Sequence, residues 1–315
     1  MIWRPLDIVL LILLFPAAAL VPLPLYLVAL SLFGLPHVLW ELRWLQLAGQ
    51  GVFSPRLVLA LAACLGVLVL GRAGVLLNLP WASWAPWLDA LALVLVLLVV
   101  LPRVPRRRRP LALLLMAGLG ICLVLRSLEL LIALLMLLSV AHNLTPLALL
   151  RWRVPASSAM HVHWRVLFCL PVLLLLLGGL GMSQSLVPLC DTLPGEAAWL
   201  VRQGVADHWL HGAMSALVML QCLHYLAVLR WLPRTLPIAS TTTAAASVAV
   251  ADPLSWSGTA LRRGVLLVCM LMTLAFAWAF SEARLLYAVA AGVHAWLEWP
   301  LLFAYRDVSE REFAS

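Results

Sequence analysis

Lysine is missing from this chain altogether: its 21 basic residues are all arginine, set against 13 acids. Charge of either sign is scarce, at 11% of residues, where soluble domains carry about a quarter. With 65% hydrophobic residues and a mean hydropathy of +1.06, that scarcity excludes an ordinary soluble domain. Alternating segments of about ten residues are absent too, which argues against an outer-membrane barrel. The six cysteines, Cys64, Cys122, Cys169, Cys190, Cys222 and Cys269, stand singly with no CxxC, so neither a disulfide framework nor a zinc ribbon is indicated. There is no HEXXH, no HxxHH box and no phosphate-loop glycine pattern, Gly178-Gly179 included.

What the chain does have is apolar runs long enough to cross a bilayer as helices, about 17–25 residues each. They predict an all-α, polytopic membrane bundle forming one domain over residues 1–315. Ten spans are expected, at about 5–22, 24–44, 56–77, 86–102, 110–126, 127–150, 164–182, 208–231, 262–281 and 284–305. The Val21-Pro22-Leu23-Pro24 break separates the first two, because proline removes a donor and restrains the residue before it. No small-residue cleavage site follows the first run, which reads as a retained helix rather than a signal peptide. The Trp-rich turn LPWASWAPW belongs at a membrane–water interface. Residues 235–260, small and polar, predict a flexible cytoplasmic linker. In the 183–207 loop, DTLPGEAAWLVRQ suits a short interfacial helix.

The densest charge run is RVPRRRRP, residues 103–110. Placing Arg103 and Arg106 to Arg109 in the cytoplasm and alternating across the spans puts Arg4, Arg43, Arg56, Arg151, Arg153, Arg165, Arg230, Arg234, Arg262, Arg263 and Arg306 on the same side. This is the arrangement of arginines that sets membrane topology, not a nucleic-acid surface. Both termini are then cytoplasmic, in a bacterial inner membrane.

Four of these spans carry a histidine within apolar sequence: His37 in GLPHVLWE, His142 in SVAHN, His224 in QCLHY and His294 in VHAWLEWP. A polar side chain in hydrocarbon is costly unless it has a partner or a task. All four lie in even-numbered spans, which run in one direction. They precede the next inner arginine by six residues (His37 to Arg43), nine (His142 to Arg151), six (His224 to Arg230) and twelve (His294 to Arg306). At ~1.5 Å rise per residue the four depths agree within about 9 Å. Four imidazoles delivered to one level predict a single metal ion inside the bundle. Glu41 and Glu298 each follow a histidine by four residues on the same helix face, placed to orient an imidazole or to ligate directly. Asn143 and Tyr225 adjoin their histidines and are expected to line the pocket or to satisfy neighbours. The alternative for the histidines is polar bonding between helices. His208 and His211, an i, i+3 pair behind Asp207, read as interfacial or capping, with a second metal site as the alternative. His161 and His163 read as solvated.

At these same segments the chain resembles the Brp/Blh family of membrane carotene dioxygenases. GLPHVLWE is similar to that family's GLPHGxxD, VAHN to its middle-span histidine, and QCLHYLAV and VHAWLEWP to its later histidine segments, across about residues 30–306. The chain departs from the pattern at Val38, where the family has glycine, at Glu41 and Glu298, where it has aspartate, and at Val228, where it has a second histidine. The resemblance implies an iron(II) centre held by His37, His142, His224 and His294. It also implies O2-dependent cleavage of a carotenoid, drawn from the bilayer, into retinal-like aldehydes. Two other readings stand beside it: another histidine-rich membrane hydroxylase or desaturase acting on a lipid, with two metals, and a metal-handling membrane transporter. Composition gives no oligomeric state.

Overall fold

The structure, a computed structural model, describes residues 5–48, 54–150, 159–181, 206–235 and 259–304. Among these, all regular elements are helical and there is no strand. Twelve α-helices follow one another: α1 (Pro5–Leu20), α2 (Pro22–Ala48), α3 (Pro55–Leu76), α4 (Ala85–Val100), α5 (Arg109–Leu125), α6 (Leu128–His142), α7 (Thr145–Leu150), α8 (Ala159–Leu167), α9 (Leu170–Gly179), α10 (Asp207–Leu226), α11 (Thr259–Trp278) and α12 (Phe280–Ala304). Most of the predicted linker and of the 183–207 loop lies outside the described residues, as do both chain ends.

Six stretches are long and apolar enough to cross a membrane: Pro22–Gln46, Pro55–Leu76, Ala82–Arg103, Val162–Gly179, Asp207–Trp231 and Phe280–Ala304. The protein is therefore an all-helical membrane protein. The other predicted spans fall on the shorter apolar helices Ile8–Leu20, Arg109–Leu125 and Leu128–His142, and on α11. Local chemistry sets several boundaries. Ser54 accepts from the Leu57 amide at 3.3 Å with Pro55 in the first turn, so α3 starts capped. Ser127 does the same for Leu130 at the head of α6. Arg126 just before it takes a left-handed conformation (φ 50°), which reverses the chain with almost no loop.

The predicted span 127–150 is not one helix. It breaks after His142, and α7 begins at Thr145, whose hydroxyl lies 2.6 Å from the His142 carbonyl and 2.7 Å from the Glu298 carboxylate, sharing its one proton between them. The Asn143 side-chain amide turns back onto the Ser139 carbonyl at 3.1 Å and closes the end of α6. A second irregularity follows His224: residues Ala227–Trp231 form a π-helical turn, then a 3-10 turn from Leu232 to Thr235. Pro233 withholds an amide from this stretch, and such wide turns recur at functional sites.

The largest core cluster unites α3, α4, α5, α6 and α12 through residues such as Leu68, Leu93, Val96, Leu119, Leu131 and Trp296. Within it the Arg72 guanidinium grips the carboxylate of Asp89, α3 to α4, with Nε donating to Oδ1 at 3.2 Å. A smaller cluster gathers Trp44, Leu45, Leu149, Val228, Leu232 and Leu301. Its members come from each helix that bears a membrane histidine, or from its continuation. Trp44, Leu149 and Leu301 lie seven residues beyond His37, His142 and His294, and Val228 lies four beyond His224. Residues four and seven apart share a helix face. These four segments thus run in the same direction and meet along one face.

α9 and α10 cross at glycines. A Cβ on Gly178 would stand 2.2 Å from the Gly212 Cα, so the two backbones touch. Gly178→Val is expected to lower the stability of the purified protein by about 1–3 kcal/mol. The check is thermal unfolding in detergent; a melting curve identical to wild type would show that this contact does not hold the helices together.

Candidate metal centre

α2 brings two groups to the centre, His37 and Glu41, one helical turn apart. α12 repeats the device with His294 and Glu298. α6 contributes His142 at its last turn and α10 contributes His224 just before the π turn. All six are buried: the glutamates have no exposed surface, and the histidines are between 1% and 8% exposed.

The imidazole rings crowd together. Centroids are 5.2 Å apart for His37–His224, 5.3 Å for His37–His294, 4.9 Å for His142–His224, 4.8 Å for His142–His294 and 6.2 Å for His224–His294. Imidazole nitrogens ~2.0–2.1 Å from an ion place ring centroids roughly 4.5–5.2 Å from one another. Four of the spacings, 4.8–5.3 Å, match this range, whereas His224–His294 at 6.2 Å is wider.

The ligand atoms sort themselves more finely than the sequence predicted. His37, His224, His294 and Glu41 offer atoms all within 4.8 Å of one another; His142, His294 and Glu298 form a second such set. So Glu41 stands in the tightest set, and His142 joins the cluster through His294 and Glu298. The two sets meet at His294, whose Nε2 lies 2.7 Å from Glu41 Oε2 and 3.8 Å from Glu298 Oε1. One imidazole nitrogen has one lone pair, so the sets describe one centre with six candidate donors when they meet at that atom.

The carboxylates act across helices. Glu41 approaches His294 and, at 3.3 Å, His224 Nε2, rather than His37 on its own helix. Glu298 Oε2 lies 2.8 Å from His142 Nδ1 and accepts from the Thr145 hydroxyl at 2.7 Å. His37 is turned by its backbone instead: its Nδ1 donates to the Phe33 carbonyl at 3.1 Å, leaving Nε2 for a ligand role.

Two observations support a cation here. Both carboxylates are fully buried, and among the described residues neither meets an arginine; an unpaired buried charge costs several kcal/mol. Polar atoms are also left without an aligned partner: Glu41 Oε1, Glu298 Oε1, His142 Nδ1 and both nitrogens of His224. His142 Nδ1 is near Glu298 in distance but not in direction. Atoms so placed suit a shared ion better than mutual hydrogen bonds. The all-nitrogen-and-carboxylate donor set suits iron, zinc or a similar first-row metal.

Among the sequence candidates, Tyr225 does line the centre. Its ring lies 4.2 Å from His37, and its hydroxyl accepts from Gln221 Nε2 at 2.5 Å. The Asn143 side chain caps α6. His208 is exposed, His211 is half-buried, and neither joins a metal-ligating set among the described residues. His163 is exposed and lies within the candidate span Val162–Gly179; the His161 side chain lies outside the described residues. Sequence reasoning missed Thr145 and Tyr287, whose partners lie far along the chain, and Gln221, whose partner Tyr225 is one turn away. Thr145 had one local signal, its place just before Pro146 where a helix restarts.

No family model, curated protein or solved structure matches the chain.

His37→Ala and His294→Ala are each expected to abolish metal retention by the purified protein, measured as metal per chain. Full stoichiometric metal in both variants would end the assignment.

Proposed function

We propose that the chain is a metal-dependent membrane oxygenase that cleaves a carotenoid or related polyene with O2, as the Brp/Blh resemblance implies. The observation that supports this reading most is the fully buried set of His37, His224, His294 and Glu41, with His142 and Glu298 beside it. The proposal includes ten crossings of a bacterial inner membrane with both termini cytoplasmic, and a substrate taken from the lipid phase.

Iron(II), bound by this set, supplies the activation of O2 toward an alkene. The chain's own residues do the rest. His37, His224 and His294 present nitrogens with the Glu41 carboxylate between them. Glu298, held by Thr145, orients His142. The apolar clusters around them exclude water, which suits a hydrophobic substrate and protects an oxidisable site. Cleaving one carbon–carbon double bond puts one oxygen atom on each carbon. Both atoms of O2 leave in two aldehydes, and no external reductant is consumed.

A second reading is favoured by one feature: both carboxylates sit among the imidazoles, as a two-metal hydroxylase or desaturase of lipids requires. The metal count separates the two.

In a bacterium that makes β-carotene, expression is expected to bleach the cells and leave retinal in the extract, and His294→Ala is expected to leave them orange. Persistent colour with one metal bound per wild-type chain would overturn β-carotene cleavage while leaving the centre intact. Two metals per chain would favour the hydroxylase or desaturase.

A further inference from the structure

Three of the four imidazoles are in contact with a carboxylate: His294 at 2.7 Å, His142 at 2.8 Å and His224 at 3.3 Å. His37 touches neither glutamate at such a distance. Its one polar tether is the bond from Nδ1 to the Phe33 carbonyl. That bond lies in a turn already weakened by Pro36, which has no amide to give the Leu32 carbonyl. A ring held at one atom can still swing about that bond.

Tyr225 removes this freedom. Its ring lies against the His37 ring, with centroids 4.2 Å apart and planes inclined by 33°. Tyr225 is itself fixed at its far end. Gln221 Nε2, one turn back on α10, reaches its hydroxyl at 2.5 Å, and the Tyr287 hydroxyl of α12 lies close enough to interact with the same group. Tyr287 can come this near because Gly34 leaves room: a Cβ there would meet the Tyr287 ring at 3.2 Å. Gly34 and His37 lie one turn apart on α2, so the GLPH segment supplies both the ligand and the gap that seats its support. Both tyrosines are more than nine-tenths buried.

We propose, resting on the metal-centre reading above, that Tyr225 is a positioning residue for His37. Its ring, pinned through its hydroxyl by Gln221 and Tyr287, fixes the imidazole plane so that Nε2 faces the other donors. Three of the imidazoles thus stand beside carboxylates, and the fourth is set by an aromatic clamp.

The test uses purified full-length protein in detergent and Co(II) as the probe. Affinity is read by chelator competition, the ligand field by visible absorption, and folding by the melting midpoint without metal. Tyr225→Phe keeps the ring and loses both hydroxyl contacts; Tyr287→Phe loses one. Each is expected to weaken Co(II) binding by about 3–10-fold, and Tyr225→Leu by about 10–100-fold with a shifted absorption band, in the range seen when supports of metal ligands are removed. The metal-free melting midpoint of the two phenylalanine variants is expected to stay at the wild-type value. Wild-type affinity and spectrum in both phenylalanine variants would overturn the clamp, whether or not Tyr225→Leu folds. A wild-type protein that takes up no Co(II) would instead overturn the metal centre on which the clamp depends.

Discussion

Two carboxylates with no exposed surface, and with no arginine at hand among the described residues, are the constraint around which this bundle closes. In a low-dielectric interior such groups are tolerated only when opposite charge or protons are shared with them. Glu41 and Glu298 solve this by reaching into one another's territory. Each arises from a helix that also bears a histidine, yet each makes its nearest contact with a histidine on a different helix. α2, α6, α10 and α12 thereby meet at one cluster of imidazoles and carboxylates. The Arg72–Asp89 pair, elsewhere in the bundle, is self-neutralising and draws nothing from the centre.

The helix irregularities lie where the donors are. α6 ends at His142, and the π turn follows three residues after His224. α2 and α12 contain Pro36 and Pro300, each next to or near a donor. Unpaired backbone in a membrane interior is acceptable only where protein groups satisfy it. Here Thr145 and Asn143 take on that task at the α6 break, and Thr145 serves the Glu298 carboxylate as well. One small hydroxyl therefore couples a helix end to the donor set.

Much of this was legible in the residues. Apolar run length gave the helical membrane class, and counting residues from each histidine to the next arginine gave their common level. The i, i+4 glutamates were recognisable because that spacing fixes one helix face. What could not be read is which histidine each glutamate meets, since that depends on how four helices turn relative to one another. Residues 127–150 read as one span although Pro146 withholds the amide that the His142 carbonyl would use; the helix breaks there, and the Thr145 and Asn143 side chains take up freed backbone groups. Tyr287 was invisible because its partners, Gly34 and Tyr225, lie on other helices.

The cluster of Trp44, Leu45, Leu149, Val228, Leu232 and Leu301 has a consequence for traffic. It lies four to eight residues beyond the histidines, on the helices that bear them or on the segments that continue them, roughly 6–12 Å of helical rise. Val228, four residues beyond His224, is buried inside that cluster. Anything approaching the donors from the C-terminal side of these helices therefore meets packed apolar side chains first.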